Sequence, residues 1–183
     1  LDFPNVTTVG VVGIENILNL PDFRSPERSF QMISQVGGRA GRGNKKGTVV
    51  IEVFNPDHYA VQCAVEQNYE KFYEIESRNR RELSYPPFGS LVRIIVQGPD
   101  VRRVSRYAAD LKKILKQESY PCPVRILGPV EAPLFRIRNN FRFHIIFKIP
   151  SRIPVTGLFQ NPSIFRNKGK ISVTVDVDPI SML

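Results

Sequence analysis

The sequence predicts an α/β protein made of two dissimilar parts. In residues 1–56, two short apolar runs rich in β-branched side chains flank one helical pattern, which is typical of a βαβ unit with parallel strands. In residues 88–183, strand and helix patterns follow in the order β-α-β-β-β, which indicates an α+β sheet of the split-βαβ type. A charged helical linker is expected to join them over residues 57–87.

The first part is predicted to place strands at residues 6–12 and 48–54, with its helix between them. Ser25 offers a capping hydroxyl at the start of this helix, and Pro26 is predicted at the first helical position. Apolar residues then recur at helical spacing: Phe30, Ile33, Val36 and Ala40. Because parallel sheets bind ligands at the carboxyl ends of their strands, a site is expected in the loops that follow these two strands.

The linker is predicted to be helical from residue 57 to residue 83, with an interrupted apolar stripe opposite a crowd of charges. The apolar positions of that stripe are Val61, Val65, Tyr69, Phe72, Tyr73 and Ile75. Pro86 and Pro87 end the helix, because proline cannot continue the hydrogen-bond ladder.

The C-terminal part is predicted to contain strands at residues 90–97, 124–128, 141–149 and 171–177. An amphipathic helix at residues 101–118 should bury Val104, Ala108, Leu111 and Leu115. The strand at 141–149 alternates with period two and should expose Arg142, His144, Ile146 and Lys148. Residues 151–170, which contain two prolines and a central glycine, predict no regular helix.

Charge is distributed unevenly along the 183 residues, whose net charge is +9. Residues 1–87 contain 10 Lys+Arg and 11 Asp+Glu, whereas residues 88–183 contain 16 and 6. A basic domain beside a neutral one is typical of a nucleic-acid-binding protein. No apolar run approaches the roughly 18 residues of a transmembrane helix, no signal peptide is recognised, and the start at Leu1 reads as the middle of a longer sequence.

The strongest chemical signal is Gln-Val-Gly-Gly-Arg-Ala-Gly-Arg-Gly at residues 35–43. On a helix, Gln35, Arg39 and Arg42 would share one face, and the small residues between them would let a bulky anion approach the backbone. The arginine side chain is a planar fork of donors that matches phosphate oxygens. The pattern favours a polyphosphate ligand over its alternative, a glycine-rich turn with two solvated arginines.

A second basic signal lies in residues 134–148. Arg136 and Arg138 precede a predicted Asn-Asn turn, and Arg142 and Lys148 follow on the predicted exposed face of the next strand. Cations without an accompanying set of base-reading side chains indicate contacts with DNA phosphates. The alternative is an ordinary solvated sheet face.

Other candidates have weaker patterns. His144 has no nearby triad partner and is interpreted as structural or DNA-facing. Asp176 and Asp178 resemble a metal pair but lack further oxygen ligands, so turn capping and pairing with arginines is favoured. Cys63 and Cys122 lack metal-site spacing and are expected to be unreactive thiols. No phosphate-binding loop occurs, so this chain alone is expected to hydrolyse nothing.

Residues 35–42 resemble motif VI of superfamily 2 helicases, Gln-x-x-Gly-Arg-x-Gly-Arg. Residues 2–6, 18–24, 85–89, 136–143, 150–152 and 176–179 are similar to segments of the primosomal protein N′ family of bacterial replication-restart helicases. Gly37 stands where that family usually has alanine, and residues 151–170 replace a clear amphipathic helix.

The resemblance implies the C-terminal part of an ATP-dependent 3′–5′ DNA helicase that restarts stalled forks and assembles the primosome. It implies part of a RecA-like lobe, then a domain like ribosomal protein S10. Arg39 and Arg42 would act as arginine fingers on the ATP γ-phosphate, with Gln35 beside them. ATP, Mg²⁺ and Zn²⁺ would belong to the longer protein, and none would bind these residues alone.

The resemblance further implies branched and single-stranded DNA, other primosome proteins and the acidic tail of single-stranded DNA-binding protein as partners. Arg152 would bind that tail. The protein would act in the bacterial cytoplasm near the nucleoid, away from any membrane. Two other classes stay open, a stand-alone basic nucleic-acid-binding module of ferredoxin-like shape and a protein-interaction scaffold. Motif VI argues against the module, since a module that only binds needs no arginine finger.

Overall fold

Residues 6–38, 47–149, 158–159 and 161–183 are described by a computed structural model of the protein. This part of the chain has mixed α/β structure with two sheets. It divides between Asn79 and Arg80 into two units, each with its own sheet and apolar core. In the described residues, no helix is both long and apolar enough to cross a membrane.

The first unit contains the predicted βαβ arrangement. Strand β1 (Thr8–Val11) pairs in parallel with β2 (Thr48–Ile51), and helices α1 (Glu15–Leu18) and α2 (Ser25–Gly37) lie between them in the chain. Both strands are shorter than predicted, and α1 was not predicted. The parallel pairing confirms that the chain crosses over through helix between the two strands.

The predicted start of α2 is wrong by one residue. Arg24 is the N-cap, and its backbone N–H donates to Asp22 Oδ1 at 3.0 Å. The hydroxyl of Ser25 is turned inward and donates to the carbonyl oxygen of Leu20 at 2.9 Å. Ser25 therefore stabilises the turn before the helix instead of capping the helix itself.

The predicted helical linker consists of two helices, α3 (Tyr59–Val65) and α4 (Tyr69–Glu82). The chain bends between them at Gln67, whose φ is 52°. Phe72 of α4 stacks on Phe30 of α2, with ring centroids 4.3 Å apart. The core of the first unit comprises Val11, Ile14, Phe30, Ile33, Ala60, Val61, Cys63, Ala64 and Phe72. The segment is thus part of a core, and the predicted stripe is wrong at Val65, Tyr69 and Tyr73, which are exposed.

The second unit contains a four-stranded sheet and one long helix. Its elements are β3 (Ser90–Gly98), α5 (Val101–Gln117), β4 (Arg125–Ile137), β5 (Asn140–Ile149), a short 3₁₀ helix (Pro162–Phe165) and β6 (Ser172–Val177). The strand order is β4-β5-β3-β6, and every neighbouring pair is antiparallel. β3 and β4 therefore run in parallel with β5 between them, which confirms the predicted split-βαβ order.

The core of this unit lies between α5 and one face of the sheet. The helix buries Val104, Ala108, Leu111 and Leu115, as predicted. Ile145, Phe147 and Ile149 of β5 meet them, joined by Val92, Ile94 and Val96 of β3. In residues 151–170, only 158–159 and 161–170 are described, and they contain the 3₁₀ helix as their one helical turn.

Strand β4 is much longer than predicted and includes Pro129 and Pro133. It tolerates them because it is an edge strand, where a missing N–H removes no ladder hydrogen bond. Its pairing with β5 shifts twice, and four residues of β4, 132–135, lie opposite Arg142 alone. Gly128 has a φ of 84°, and a Cβ there would lie 2.6 Å from the carbonyl oxygen of His144, so only glycine fits at the first shift.

Candidate functional site

The motif VI segment begins on α2. Gln35 is exposed in the last turn of this helix, and Gly38 is the C-cap, with its N–H donating to Ser34 at 3.2 Å. Arg39 and Arg42 lie outside the described residues. Their predicted common face with Gln35 therefore remains a prediction.

Glu15 joins the two loops in which the sequence predicts a ligand site. It begins α1, just after β1, and its Oε1 accepts hydrogen bonds from the backbone N–H groups of Phe54 and Asn55 after β2. Glu15 was not predicted as a site residue. An acidic side chain immediately after a predicted strand was the available signal, because such positions lie at the carboxyl edge of a parallel sheet.

The second candidate region is the hairpin between β4 and β5. Its two central residues are Arg138 and Asn139, with φ values of 47° and 61°, as in a type I′ turn. The predicted Asn-Asn turn is wrong by one residue, since Asn140 is already in β5 and pairs with Ile137. An arginine at positive φ lowers the free energy of unfolding by roughly 1 kcal/mol, so Arg138 destabilises the turn that it occupies.

Arg136 and Arg138 are both exposed at this hairpin. The Nη2 of Arg136 donates to Asn139 Oδ1 at 3.0 Å, and its guanidinium lies 5.2 Å from the ring centroid of Phe141. These contacts hold one arginine beside the turn while the other projects from it. The structure thus brings together two of the four cations predicted to contact DNA.

Arg142 was predicted to lie on the exposed face of its strand, and this prediction is wrong. The residue is only 8% exposed, and its Nη1 donates to the carbonyl oxygen of Leu134 at 3.0 Å. The extra residues of β4 place that carbonyl within reach, so the guanidinium braces the irregular stretch of the hairpin. Burial lowers the pKa of Arg142, and the positive charge of Arg93 lowers it further.

Lys148 is half-buried near the far end of β5, about 20 Å from Arg142 at roughly 3.4 Å per residue. Its Nζ donates to the carbonyl oxygen of Leu83 at 2.7 Å and lies 3.7 Å from the ring centroid of Tyr85. Burial, and then the charge of Arg125, lower its pKa. The four predicted cations therefore do not form one surface.

Arg93 is a buried cation that the sequence analysis missed. Its Nη2 donates to Asp176 Oδ2 at 2.9 Å, and its Nη1 donates to the carbonyl oxygen of Leu183 at 2.8 Å. Asp178 Oδ1 accepts from the backbone N–H of Leu91 at 2.9 Å. Arginine pairing and backbone capping, as predicted, thus account for both aspartates. Among the described residues, no group of three or more His, Cys, Asp and Glu side chains could hold a metal ion.

His144 lies on the same strand face as Arg142 and is 7% exposed, so its structural interpretation holds and the DNA-facing one does not. Its Nδ1 is buried without a hydrogen-bond partner. Burial lowers its pKa, and Arg93 and Arg142 add to the effect. Arg152, predicted to bind an acidic tail, lies outside the described residues.

Comparisons with known proteins place the chain in a family. The sequence model of the primosomal protein N C-terminal domain matches residues 81–180. The chain is 36% identical over 188 residues to the replication restart protein PriA of Bacillus subtilis and 36% identical over 187 residues to that of Synechocystis. It is 35% identical over 184 residues to the replication restart protein PriA of Treponema pallidum.

Each of these three comparisons covers 100% of this chain but only 23%, 22% and 28% of the relative. The chain therefore spans about a quarter of the length of the curated relatives it matches. The match to the family model covers more than half of the 183 residues, all of them within the second unit. The chain belongs to the primosomal protein N C-terminal domain family, as its sequence predicted.

Proposed function

We propose that this chain is the C-terminal part of an ATP-dependent 3′–5′ DNA helicase that restarts stalled replication forks and assembles the primosome. The observation that carries this proposal is the 36% identity to a replication restart protein along the whole chain, motif VI segment included. The parallel pairing of β1 and β2 supports a partial RecA-like lobe. The strand order β4-β5-β3-β6 supports a domain like ribosomal protein S10.

In this proposal, Arg39 and Arg42 contact the γ-phosphate of ATP, with Gln35 beside them at the end of α2. Their charges would stabilise the negative charge that develops on the phosphoryl oxygens during transfer. ATP and Mg²⁺ are proposed for the longer protein alone, because this sequence has no phosphate-binding loop. Zn²⁺ is likewise proposed only for the longer protein, since the described residues offer no ligand cluster.

The test is DNA-stimulated ATP hydrolysis by the full-length protein. Arg42→Ala is expected to lower the rate by about 10³-fold or more, as loss of an arginine finger does, while DNA affinity stays within about twofold. Arg39→Ala should behave alike. Arg78→Ala, which removes an exposed arginine from α4, is the matched control and should keep the rate. Loss of DNA affinity with hydrolysis intact would place Arg39 and Arg42 on DNA and refute the nucleotide role.

For the second unit, we propose that Arg136 and Arg138 contact DNA phosphates. Both are exposed at a strained turn, whereas Arg142 and Lys148 are more buried and each donate a hydrogen bond to a backbone carbonyl. Arg142 and Lys148 are therefore assigned to the folded sheet and no longer to the DNA contact. A stand-alone binding module would show the same DNA affinity but no effect of Arg42 on hydrolysis, so the ATPase test also separates this alternative.

We also propose branched and single-stranded DNA, other primosome proteins and single-stranded DNA-binding protein as partners of the full-length protein, in the cytoplasm at the nucleoid. Arg152 would bind the terminal carboxylate of the acidic tail of the last of these, since the guanidinium fork matches a carboxylate. Equal affinity of a tail peptide for the full-length protein and its Arg152→Ala variant, by fluorescence anisotropy, would remove this residue from the site.

A further inference from the structure

The sheet of the second unit gathers basic segments that are distant in sequence. Gly98, the last residue of β3, lies opposite Phe141, which also pairs with Arg136, and Gln97 lies opposite Ser172. The end of β3, the start of α5, the β4–β5 hairpin and the entry to β6 therefore meet at one end of the sheet. We call the cations at this end the basic rim: Arg102, Arg103, Arg106, Arg136, Arg138, Arg166, Lys168 and Lys170.

The segment before β6 is held beside α5 by specific contacts. The hydroxyl of Tyr107 donates to the carbonyl oxygen of Arg166 at 3.0 Å. Asn167 Oδ1 accepts from the backbone N–H of Val173 at 2.9 Å. A Cβ at Gly98 would lie 3.0 Å from the carbonyl oxygen of Lys170, so glycine permits this close approach. These contacts therefore hold residues 166–170, with their cations, beside the cations at the start of α5.

All eight cations of the basic rim are exposed. Within the part of the second unit that the structure describes, the ion pairs Arg93–Asp176 and Lys113–Asp110 both lie outside the rim. Asp100 precedes the rim residues of α5, and its side chain accepts from the backbone N–H of Arg103 at 3.1 Å to cap α5. The rim is therefore a concentration of positive charge with little local compensation.

The span of the rim fits several phosphates. From the β4–β5 hairpin to β6, the sheet crosses three strand spacings of about 4.8 Å, or roughly 15 Å in all. Phosphates follow one another about every 3.4 Å of helix axis on one strand of duplex DNA. The rim could thus neutralise roughly four successive phosphates.

The kind of nucleic acid follows from what the rim lacks. Proteins that bind single strands stack bases on exposed aromatic rings. Among the described residues of the second unit, the exposed large apolar side chains are all aliphatic: Leu83, Ile114, Val130, Leu134, Ile137, Val177 and Ile180. The rings at the hairpin pack on one another, with Phe135 lying 5.4 Å from Phe141 and 5.6 Å from Phe143. The chemistry therefore favours a backbone contact over base stacking.

We propose that the basic rim binds the phosphate backbone of duplex DNA, with α5 and residues 166–170 contributing more contacts than the hairpin. This rests on the proposed DNA-binding function and adds a surface to it. The rim residues of α5 lie about 15 Å from Lys113 and Lys116 along the same helix, at 1.5 Å per residue. That distance offers a matched control within one element.

The test is fluorescence anisotropy of the whole chain with a 20-base-pair labelled duplex, which is about 7 Debye lengths long at about 0.1 M salt, titrated at several salt concentrations. The rim variant carries Arg102→Gln, Arg103→Gln and Lys168→Gln. It should flatten the plot of log affinity against log salt by about 2–3 and lower the affinity about tenfold or more. The control variant carries Lys113→Gln, Lys116→Gln and Arg125→Gln, with the same loss of charge, and should change the slope by less than about 1.

A third variant, Arg136→Gln with Arg138→Gln, separates the two proposals. If wild type binds no duplex, both proposals fail. If the hairpin variant loses affinity and the rim variant equals the control variant, the hairpin contact stands, and the proposed contribution of α5 and residues 166–170 is overturned. Tighter binding of wild type to a single strand than to the duplex would overturn the choice of duplex DNA. Circular dichroism verifies folding, and Lys168→Glu with Lys170→Glu, on an exposed turn, repeats the test if the rim variant unfolds.

Discussion

The cations of the second unit fall into two groups that look alike in the sequence. At the Gly98 end of the sheet they are exposed and lack carboxylate partners among the described residues. On the sheet face away from α5, Arg93 and Arg142 are each 8% exposed, and Nη atoms of their guanidinium groups donate to Asp176 and to backbone carbonyls. The difference teaches that the net charge of a chain does not show which of its cations are accessible to a phosphate.

Burial is the reason the two groups should respond differently to substitution. A buried guanidinium has lost its water and must find other acceptors, so its removal leaves those acceptors unpaired. An exposed guanidinium keeps its water and contributes little to folding. Substitutions in the buried group should therefore change the free energy of unfolding, and those in the exposed group should change DNA affinity.

The largest effect is expected for Arg93→Met, which should lower the free energy of unfolding by about 3 kcal/mol. The change removes a guanidinium that is only 8% exposed, so Asp176 and the carbonyl of Leu183 both lose their charged donor. Urea denaturation followed by circular dichroism measures it. Asp176→Asn is the matched control and should cost less, because the carboxylate is 40% exposed and the arginine keeps its other acceptor. Equal costs would contradict this assignment.

Arg142→Ala should lower the free energy of unfolding by about 2 kcal/mol, because the carbonyl of Leu134 loses its charged donor. Arg136→Ala, on the same hairpin but exposed, should stay within about 0.5 kcal/mol. Both are measured by urea denaturation, with the salt dependence of DNA binding alongside. An unchanged stability together with a flatter salt slope for Arg142→Ala would return this residue to the DNA surface.

Arg138→Gly should raise the free energy of unfolding by about 0.5–1 kcal/mol while weakening DNA binding. Glycine adopts positive φ without the steric cost that arginine bears at 47°. This gain exceeds the destabilising effect of the greater backbone entropy that glycine gives the unfolded chain. Thermal and urea denaturation measure the first effect and anisotropy the second. Arg138→Ala is the control, since it removes the charge and keeps the strain. If glycine destabilises the chain as much as alanine does, the turn stores no strain.

The last prediction concerns pH, and its size is given as an upper bound. Burial lowers the pKa of His144 below its ordinary value of 6.5, so below that pH the unfolded chain binds a proton that the folded chain does not. Stability should therefore fall as the pH drops from 7.5 to 5.5, by at most about 1.4 kcal/mol per pH unit for one proton. His144→Gln should reduce this dependence. His58, whose pKa burial also lowers, should supply the remainder, and an unchanged dependence in His144→Gln would assign it elsewhere.

Much of the fold could be predicted because it depends on local periodicity. The buried face of α5, the alternation of β5 and the parallel βαβ unit each follow from apolar spacing that a helix or strand converts directly into a face. The predictions are wrong where the structure depends on which of several hydrogen-bond partners a group takes. Ser25 turned inward to Leu20, and β4 ran on through two prolines because it is an edge strand.

The candidate site was only half predictable for the same reason. Arg136 and Arg142 are six residues apart and equally basic, yet one is exposed and the other braces the carbonyl of Leu134. The register shift in β4 decides between them, and nothing in the local sequence pattern announces that shift. Glu15 and Arg93 were missed because their partners lie far away in sequence.

By itself, the sequence determined the family, the order of the strands along the chain, the positions of α2 and α5, and the excess of positive charge after residue 87, since these depend on composition, motifs and local spacing. Only the tertiary structure decided which cations remain available and which segments share a surface. Arg102 and Lys168 are remote in the chain but meet at one end of the sheet, because the order β4-β5-β3-β6 puts the start of α5 and the entry to β6 there. Strand order is a set of long-range pairings, and no single segment of the sequence encodes it.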